Sequence, residues 1–208
     1  MLFRSQAGTP RLHARGVWQP EAATYTLTLS QVTPATPGQD AKLPQLLPVR
    51  MGLLGRDGQA LPLQLQGEAA AQGTERVLVL SDATQSFVFT GITQDVVPSL
   101  LRGFSAPVLL DDGLGDADLL VLLAHDSDAF NRWEASQRLA VKRLADAVAG
   151  DGQVVLDDAY LAALRGLLGD AGLDPSFKAL ALQVPAESYL AELITPVDPQ
   201  RIHAACES

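Results

Sequence analysis

The feature that most constrains this chain is a change of hydrophobic period. Up to about residue 110, apolar residues recur at every second position in short runs bounded by turn residues, whereas beyond Gly113 they recur every three to four. A period of two marks a half-buried strand and a period of 3.6 an amphipathic helix, so the two parts must differ in architecture. The expected division is an all-β domain over 1–110 and an all-α domain over 111–208. With 208 residues in all, each part holds roughly 100, enough for a modest core of its own.

Residues 10–18 alternate loosely and residues 25–32 strictly, with Tyr25, Leu27 and Leu29 on one face and Gln19-Pro20-Glu21 as the turn between two strands. After the proline-broken loop 33–41, residues 46–54 predict a third strand closed by Gly55-Arg56-Asp57-Gly58. Residues 61–65 return as a strand whose Pro62 places it at an edge. Residues 75–80, 85–91 and 106–110 complete about seven short strands, the pattern of an antiparallel immunoglobulin-like β-sandwich. Between sandwich and helices, residues 97–108 read as a stiff, apolar hinge that docks the two halves. Pro98 and Pro107 remove backbone donors there, and Leu100, Leu101 and Phe104 supply anchors.

Six helices are expected in the second part, beginning with 116–125, whose first turn is acidic, as the helix dipole favours. The second is capped by Asp126-Ser127-Asp128, stops at Gly150-Asp151-Gly152, and repeats Phe130, Trp133, Gln137, Ala140, Leu144 and Ala147 or Val148 at helical spacing. Residues 157–168, 175–183, 188–193 and 198–208 supply the rest. The sixth reads as cut short, because Ile202, Ala205 and Cys206 have no continuing sequence to pack with. Short helices joined by brief loops form an array rather than a four-helix bundle, and an array without a polar capping repeat is expected to continue in a longer protein.

Composition narrows the function. Fifteen Lys and Arg against 24 Asp and Glu leave a net charge of −9, which repels a phosphate backbone, so no nucleic-acid partner is expected. The lone Cys206 excludes an internal disulfide framework and fits a reducing compartment, the cytoplasm. No run approaches the roughly 20 apolar residues of a membrane span, and Met1-Leu2-Phe3-Arg4 has no signal-peptide core.

No catalytic or metal site is legible. His13, His125 and His203 have no second histidine at zinc-binding spacing, and His125 reads as a cationic cap of the first helix's C-terminus. The acidic run 111–118 lacks the ordered calcium-loop pattern and reads as a solvated linker leading into a helix. Neither Gly113-Leu114-Gly115 nor Gly150-Asp151-Gly152 lies between a strand and a helix as a phosphate loop does, and no serine sits in a G-x-S-x-G elbow. Phe130 and Trp133, at helical spacing, are expected to be core residues rather than a ligand platform.

Several stretches, taken together and in order, carry a family resemblance. Ser5-Gln6-Ala7-Gly8-Thr9-Pro10 resembles an S-Q-x-G-T-P segment, and residues 25–37 a Y-T-L-T-x-S-Q-x-T-P-x-T-P segment. Residues 97–108 resemble V-P-S-L-L-R-x-F-S-A-P-V, and residues 128–137 resemble D-x-F-x-R-W-(E/D)-A-x-Q. These are similar to segments of bacterial aminopeptidase N, the zinc-dependent alanyl aminopeptidases. The resemblance implies an Ig-like third domain followed by the start of a helical fourth domain. It also implies a parent enzyme releasing N-terminal amino acids from peptides, with zinc held elsewhere in that parent. The family's H-E-x-x-H motif is absent, so no catalytic, metal or substrate-binding residue is carried over. The expected partners are the catalytic domain and the further C-terminal helices of the same parent chain. The motif residues Pro98, Leu101, Arg102, Phe104, Pro107, Phe130, Arg132 and Trp133 are then expected at a structural junction. Phe104 and Pro107 would fix the interdomain angle, Phe130 and Trp133 anchor the first helices, and Arg102 and Arg132 pair across the joint. The alternative is a free-standing Ig-like module that binds protein or glycan through aromatic residues on its loops.

Overall fold

The structure, a computed structural model, describes residues 6–150 and 152–207. Outside the described residues lie the leading segment through Ser5, which opens the first motif, Asp151 of the Gly150–Gly152 turn, and Ser208. The chain divides into two compact units, Met1–Leu114 and Gly115–Ser208.

The first unit is a sandwich of seven strands among the described residues: β1 (Arg11–Gln19), β2 (Thr24–Val32), β3 (Leu47–Gly55), β4 (Glu75–Leu80), β5 (Thr84–Thr90), β6 (Val96–Leu100) and β7 (Leu109–Asp111). One sheet has the order β5-β2-β1-β7 and the other β4-β3-β6. Alternation is obeyed closely in β2, where Tyr25, Leu27 and Leu29 are buried and face Leu12, Met51, Leu53, Leu63, Leu80 and Phe89 in one core. Burying a side chain of this size stabilises the fold by about 1.5–3 kcal/mol, so the core outweighs any single polar contact described below.

Three differences from the expected strand set have clear causes. First, Leu61–Leu65 forms no ladder: Leu61 N–H donates to Leu53 O of β3, whereas Thr90 N–H of β5 donates to Gln64 O. The segment crosses from one sheet to the other while keeping Leu61 and Leu63 in the core, and Pro62, with no N–H, suits a crossing rather than a strand. Second, the supposed hinge begins as β6, a strand buried at all five positions and paired with β3 in the register Met51↔Leu100 to Gly55↔Val96. Pro98 is tolerated because β6 lies at the edge of its sheet and needs only one partner. Third, the strand expected at 106–110 is short, and it pairs with β1 in parallel, Arg11↔Leu109 to His13↔Asp111, so this sheet is mixed rather than purely antiparallel.

The second unit holds six helices among the described residues: α1 (Asp116–His125), α2 (Ala129–Ala149), α3 (Asp158–Gly169), α4 (Pro175–Ala181), α5 (Glu187–Leu193) and α6 (Pro199–Glu207). Aspartates start four of them. Asp128, Asp157, Asp174 and Asp198 accept from Asn131, Tyr160, Ser176 and Gln200 N–H at 2.8–3.1 Å, satisfying first-turn donors that have no partner within the helix.

Two expectations are corrected in this unit. Ile202 and Ala205 of α6 do find a core: both are buried with Leu144, Ala147 and Val148 of α2 and Leu190 of α5. The buried stripe of α2 also runs through Arg132, Ala135, Ser136, Leu139 and Arg143, rotated from the stripe through Phe130, Trp133, Gln137 and Ala140. Phe130 and Trp133 are only half-buried and lean on each other with ring centroids 5.6 Å apart. An apolar count alone places arginine outside. Here the arginines are inside because helix ends supply carbonyls for them.

Candidate functional site

The polar side chains that the fold buries centre on two arginine clusters, one in each unit. In the sandwich, Arg102 follows β6 in a short 3-10 turn, Arg102–Phe104, and is only 5% exposed. Its Nε donates to Ser99 Oγ of β6 at 3.0 Å and its Nη1 to Glu75 Oε2 of β4 at 3.0 Å. Between these two strands lies Gly52 of β3, paired with Ser99 on one side and Glu75 on the other. A Cβ at Gly52 would meet Arg102 Nη1 and Thr74 O, both at 3.2 Å. Glycine therefore lets the guanidinium lie flat across all three strands of the sheet. The turn then reverses into left-handed backbone, Leu101 at φ 56°, Gly103 at 59° and Phe104 at 55°. Ser105 Oγ accepts from Arg50 N–H at 2.9 Å.

In the helical unit, α2 serves as the hub. Arg132 Nε donates to Leu123 O at 3.0 Å and Nη2 to Ala124 O at 3.3 Å, two of the carbonyls at the end of α1, while Nη1 reaches Asp170 Oδ2 beyond α3 at 3.4 Å. Ser136 Oγ donates to Ala181 O and Gln137 Nε2 to Gln183 O, serving the end of α4. Arg143 pairs with Asp157, the N-cap of α3, and lies over the Tyr160 ring at 4.2 Å. The Tyr160 N–H and this guanidinium together hold the Asp157 carboxyl below its ordinary range, whereas burial raises the Tyr160 phenol. The capping role expected of His125 falls instead to Arg132 and to the Asp126 N–H, which donates to Leu122 O. His125 itself is exposed.

A third polar cluster joins the first two motif segments of the sequence. Ala7 N–H donates to Gln39 Oε1, and Lys42 Nζ reaches Ala7 O, Thr36 Oγ1 and Gln39 Oε1 at 2.9, 2.7 and 2.6 Å. Gln6 exchanges two bonds with the Leu43 backbone. Gln39 and Lys42 went unnoticed in the sequence because a loop glutamine and lysine carry no periodic signal.

The acidic run does not converge. Asp111 binds Arg15 and His13, Asp112 accepts from Leu114 N–H, Asp116 pairs with Lys142, and Asp118 accepts from Gly115 N–H. Among the described residues no group of three His, Cys, Asp or Glu side chains is placed to hold a metal ion. The Arg15 and His13 bonds lower Asp111 to about 2 and clasp β7 to β1. A carboxyl depressed on folding stabilises the fold above its unfolded value, near 3.8, and loses that contribution as pH falls toward 2. Asp111→Asn should therefore melt below the parent at pH 5, with the gap closing as pH approaches about 2. Thermal melts of both proteins across that range provide the check, and a gap independent of pH would refute it.

Of the other residues expected at a junction, Pro98 is buried inside β6, Leu101 is buried beside the Arg102 cluster, and Phe104 and Pro107 are exposed.

Comparison with known proteins matches this arrangement. The domain of unknown function DUF3458, of Ig-like fold, matches residues 8–113, and its companion DUF3458_C, of ARM repeats, matches residues 116–208. The chain is 37% identical over 198 residues to Aminopeptidase N of Escherichia coli, covering 94% of this chain and 22% of the relative. It is 40% identical over 200 residues to Aminopeptidase N of Caulobacter vibrioides, covering 96% and 22%. Among solved structures, Legionella pneumophila aminopeptidase A in complex with aspartic acid superposes with a TM-score of 0.77 at 25% identity, over 98% of this chain and 22% of that one. The chain thus spans about a fifth of the length of the curated relatives it matches. The resemblance read from the motifs is borne out, and with strands, helices and the family match over residues 8–113 in agreement, this chain belongs to the DUF3458 family of Ig-like domains.

Proposed function

We propose that this chain is the non-catalytic scaffold region of a larger zinc-dependent aminopeptidase that releases N-terminal amino acids from peptides. One observation carries the reading: a match over 94–97% of the chain falls on only 22–23% of three relatives named Aminopeptidase N. Zinc does not fit the described residues, whose His, Cys, Asp and Glu side chains form no grouping of three. On this reading zinc and peptide are held by the rest of the parent, in the cytoplasm. The catalytic domain and further helices are this chain's partners. The Arg102 and Arg132 clusters supply rigidity rather than chemistry, since their donors meet strands and helix ends.

Turnover of an aminoacyl anilide decides the matter. The 208-residue chain supplied with zinc should show none, while the full-length protein should be active and lose its activity to a chelator. Turnover by the 208-residue chain would overturn the proposal. The rival binding-module reading calls for aromatic residues standing out on loops. Phe104, 69% exposed, is one, but Trp18, Phe87 and Trp133 are half-buried and Phe89 lies in the core.

A further inference from the structure

Of the seven strands among the described residues, β7 alone has no buried residue. From Pro107 to Asp118 nothing is buried: Ala106 is the last core residue of the sandwich, and Leu119 is the first buried residue of α1. Val108 and Leu110 lean on the core only in part, and Leu109 is 59% exposed. Hydrophobic burial, which fixes the other strands, therefore holds this one weakly.

What holds β7 is polar and sits on β1. The strand is three residues long and lies at the edge of its sheet, with β1 as its one neighbour. Leu109 N–H donates to Pro10 O at 2.9 Å, and Arg15 donates to the Asp111 carbonyl at 3.1 Å and to its two carboxylate oxygens at 3.2 and 3.0 Å. His13 Nδ1 meets the same carboxylate at 2.9 Å. The guanidinium also backs the turn that follows, since a Cβ at Gly113, at φ 68°, would stand 3.2 Å from Arg15 Nη1. The three side chains of this clasp are 43–56% exposed, so water and salt compete for each bond. β1 does not depend on β7 for its place, because it is paired with β2 along its whole length, Arg11↔Val32 to Gln19↔Thr24.

We propose that β7 is a releasable strap, which leaves β1 while the remaining sandwich stays folded and so lengthens the connection to the helical unit. Its place in the chain gives the release a consequence. The first unit ends at Leu114 and α1 starts at Asp116, so β7 is the last strand before the second unit. With β7 docked, the chain from Asp111 to Asp116 sets the reach of the connection, and freeing three extended residues adds about 10 Å to it. The inference goes beyond the scaffold reading and needs no peptidase chemistry, so either can fail alone.

Hydrogen exchange of the 208-residue chain in rising urea tests the release. The Leu109 amide should exchange at least about a hundred-fold faster than that of Leu27 in β2, and with little dependence on urea, because a local opening exposes little surface. Asp111→Asn, or about 0.5 M sodium chloride on the parent, should each speed Leu109 at least about three-fold further. A Leu109 rate that climbs with urea as steeply as that of Leu27 would overturn the proposal, since β7 would then open only with the whole sandwich. The lengthening has its own readout. Leu109→Pro removes the amide that bonds Pro10 O, and dyes at Ala22→Cys and Arg165→Cys in a Cys206→Ser chain should then report a spread of distances wider by about 10 Å. A spread equal to that of the chain with Leu109 intact would overturn it too.

Discussion

Arg132→Ala is expected to destabilise the helical unit by about 3 kcal/mol, roughly 12–24 °C in its melting temperature for a unit of this size. The guanidinium serves Leu123 O and Ala124 O, which end α1, and Asp170 Oδ2, and its side chain is nearly buried. Truncation leaves two helix-end carbonyls without their donor, each costing about 1–3 kcal/mol where water cannot replace it. Asp170 contributes less, since it is 42% exposed and solvent can hydrate it. Arg132→Lys keeps the charge, but one ammonium cannot span three acceptors set in a fork, so it should recover less than half of the loss. Far-UV circular dichroism melts of parent, Ala and Lys variants test the ordering. An Ala variant melting within about 2 °C of the parent would show that water satisfies the α1 carbonyls.

Gly16→Val is expected to cost the sandwich about 3 kcal/mol or more. Gly16 lies in β1 opposite Leu27, and the Tyr25 side chain, only 3% exposed, crosses directly beside it. A Cβ at Gly16 would overlap Tyr25 Oη and lie 2.8 Å from ring carbon Cε2. Core overpacking of this kind forces a rigid ring off its rotamer, and Tyr25 has the packed core around it rather than room to move. Gly16→Ala should show the same effect in reduced form. Combining Gly16→Ala with Tyr25→Phe removes the nearest overlapping atom, so the double variant should be more stable than the sum of the two losses by at least about 1 kcal/mol. Strict additivity in urea titrations would mean that Tyr25 vacates the site freely.

Much of this architecture was legible from local chemistry. Strict alternation in β2 and the aspartate caps of α2, α3, α4 and α6 act within a few residues, and a linear sequence displays interactions of that range directly. The burial of Val96–Leu100 was not legible, because Pro98 argues against a strand unless its edge position is known. The buried face of α2 was misplaced for a related reason. Periodicity assumes that arginine seeks water, whereas Arg132 and Arg143 find carbonyl and carboxylate partners between 4 and 38 residues away along the chain. Gln39 and Lys42 left no trace, since the Ala7 backbone they hold lies 32 and 35 residues away and neither residue is unusual in a loop.

By itself, then, the sequence determined the two architectures, the places where helices start, and the family, because period, caps and motif strings are properties of short segments. The tertiary structure alone decided which polar groups are buried, that β7 joins β1 in parallel, and that the turn after β6 holds Phe104 outward. Each of these depends on a partner brought close only by folding. A buried charge is tolerated only where its donors and acceptors meet, and strain is kept only where neighbouring contacts hold it.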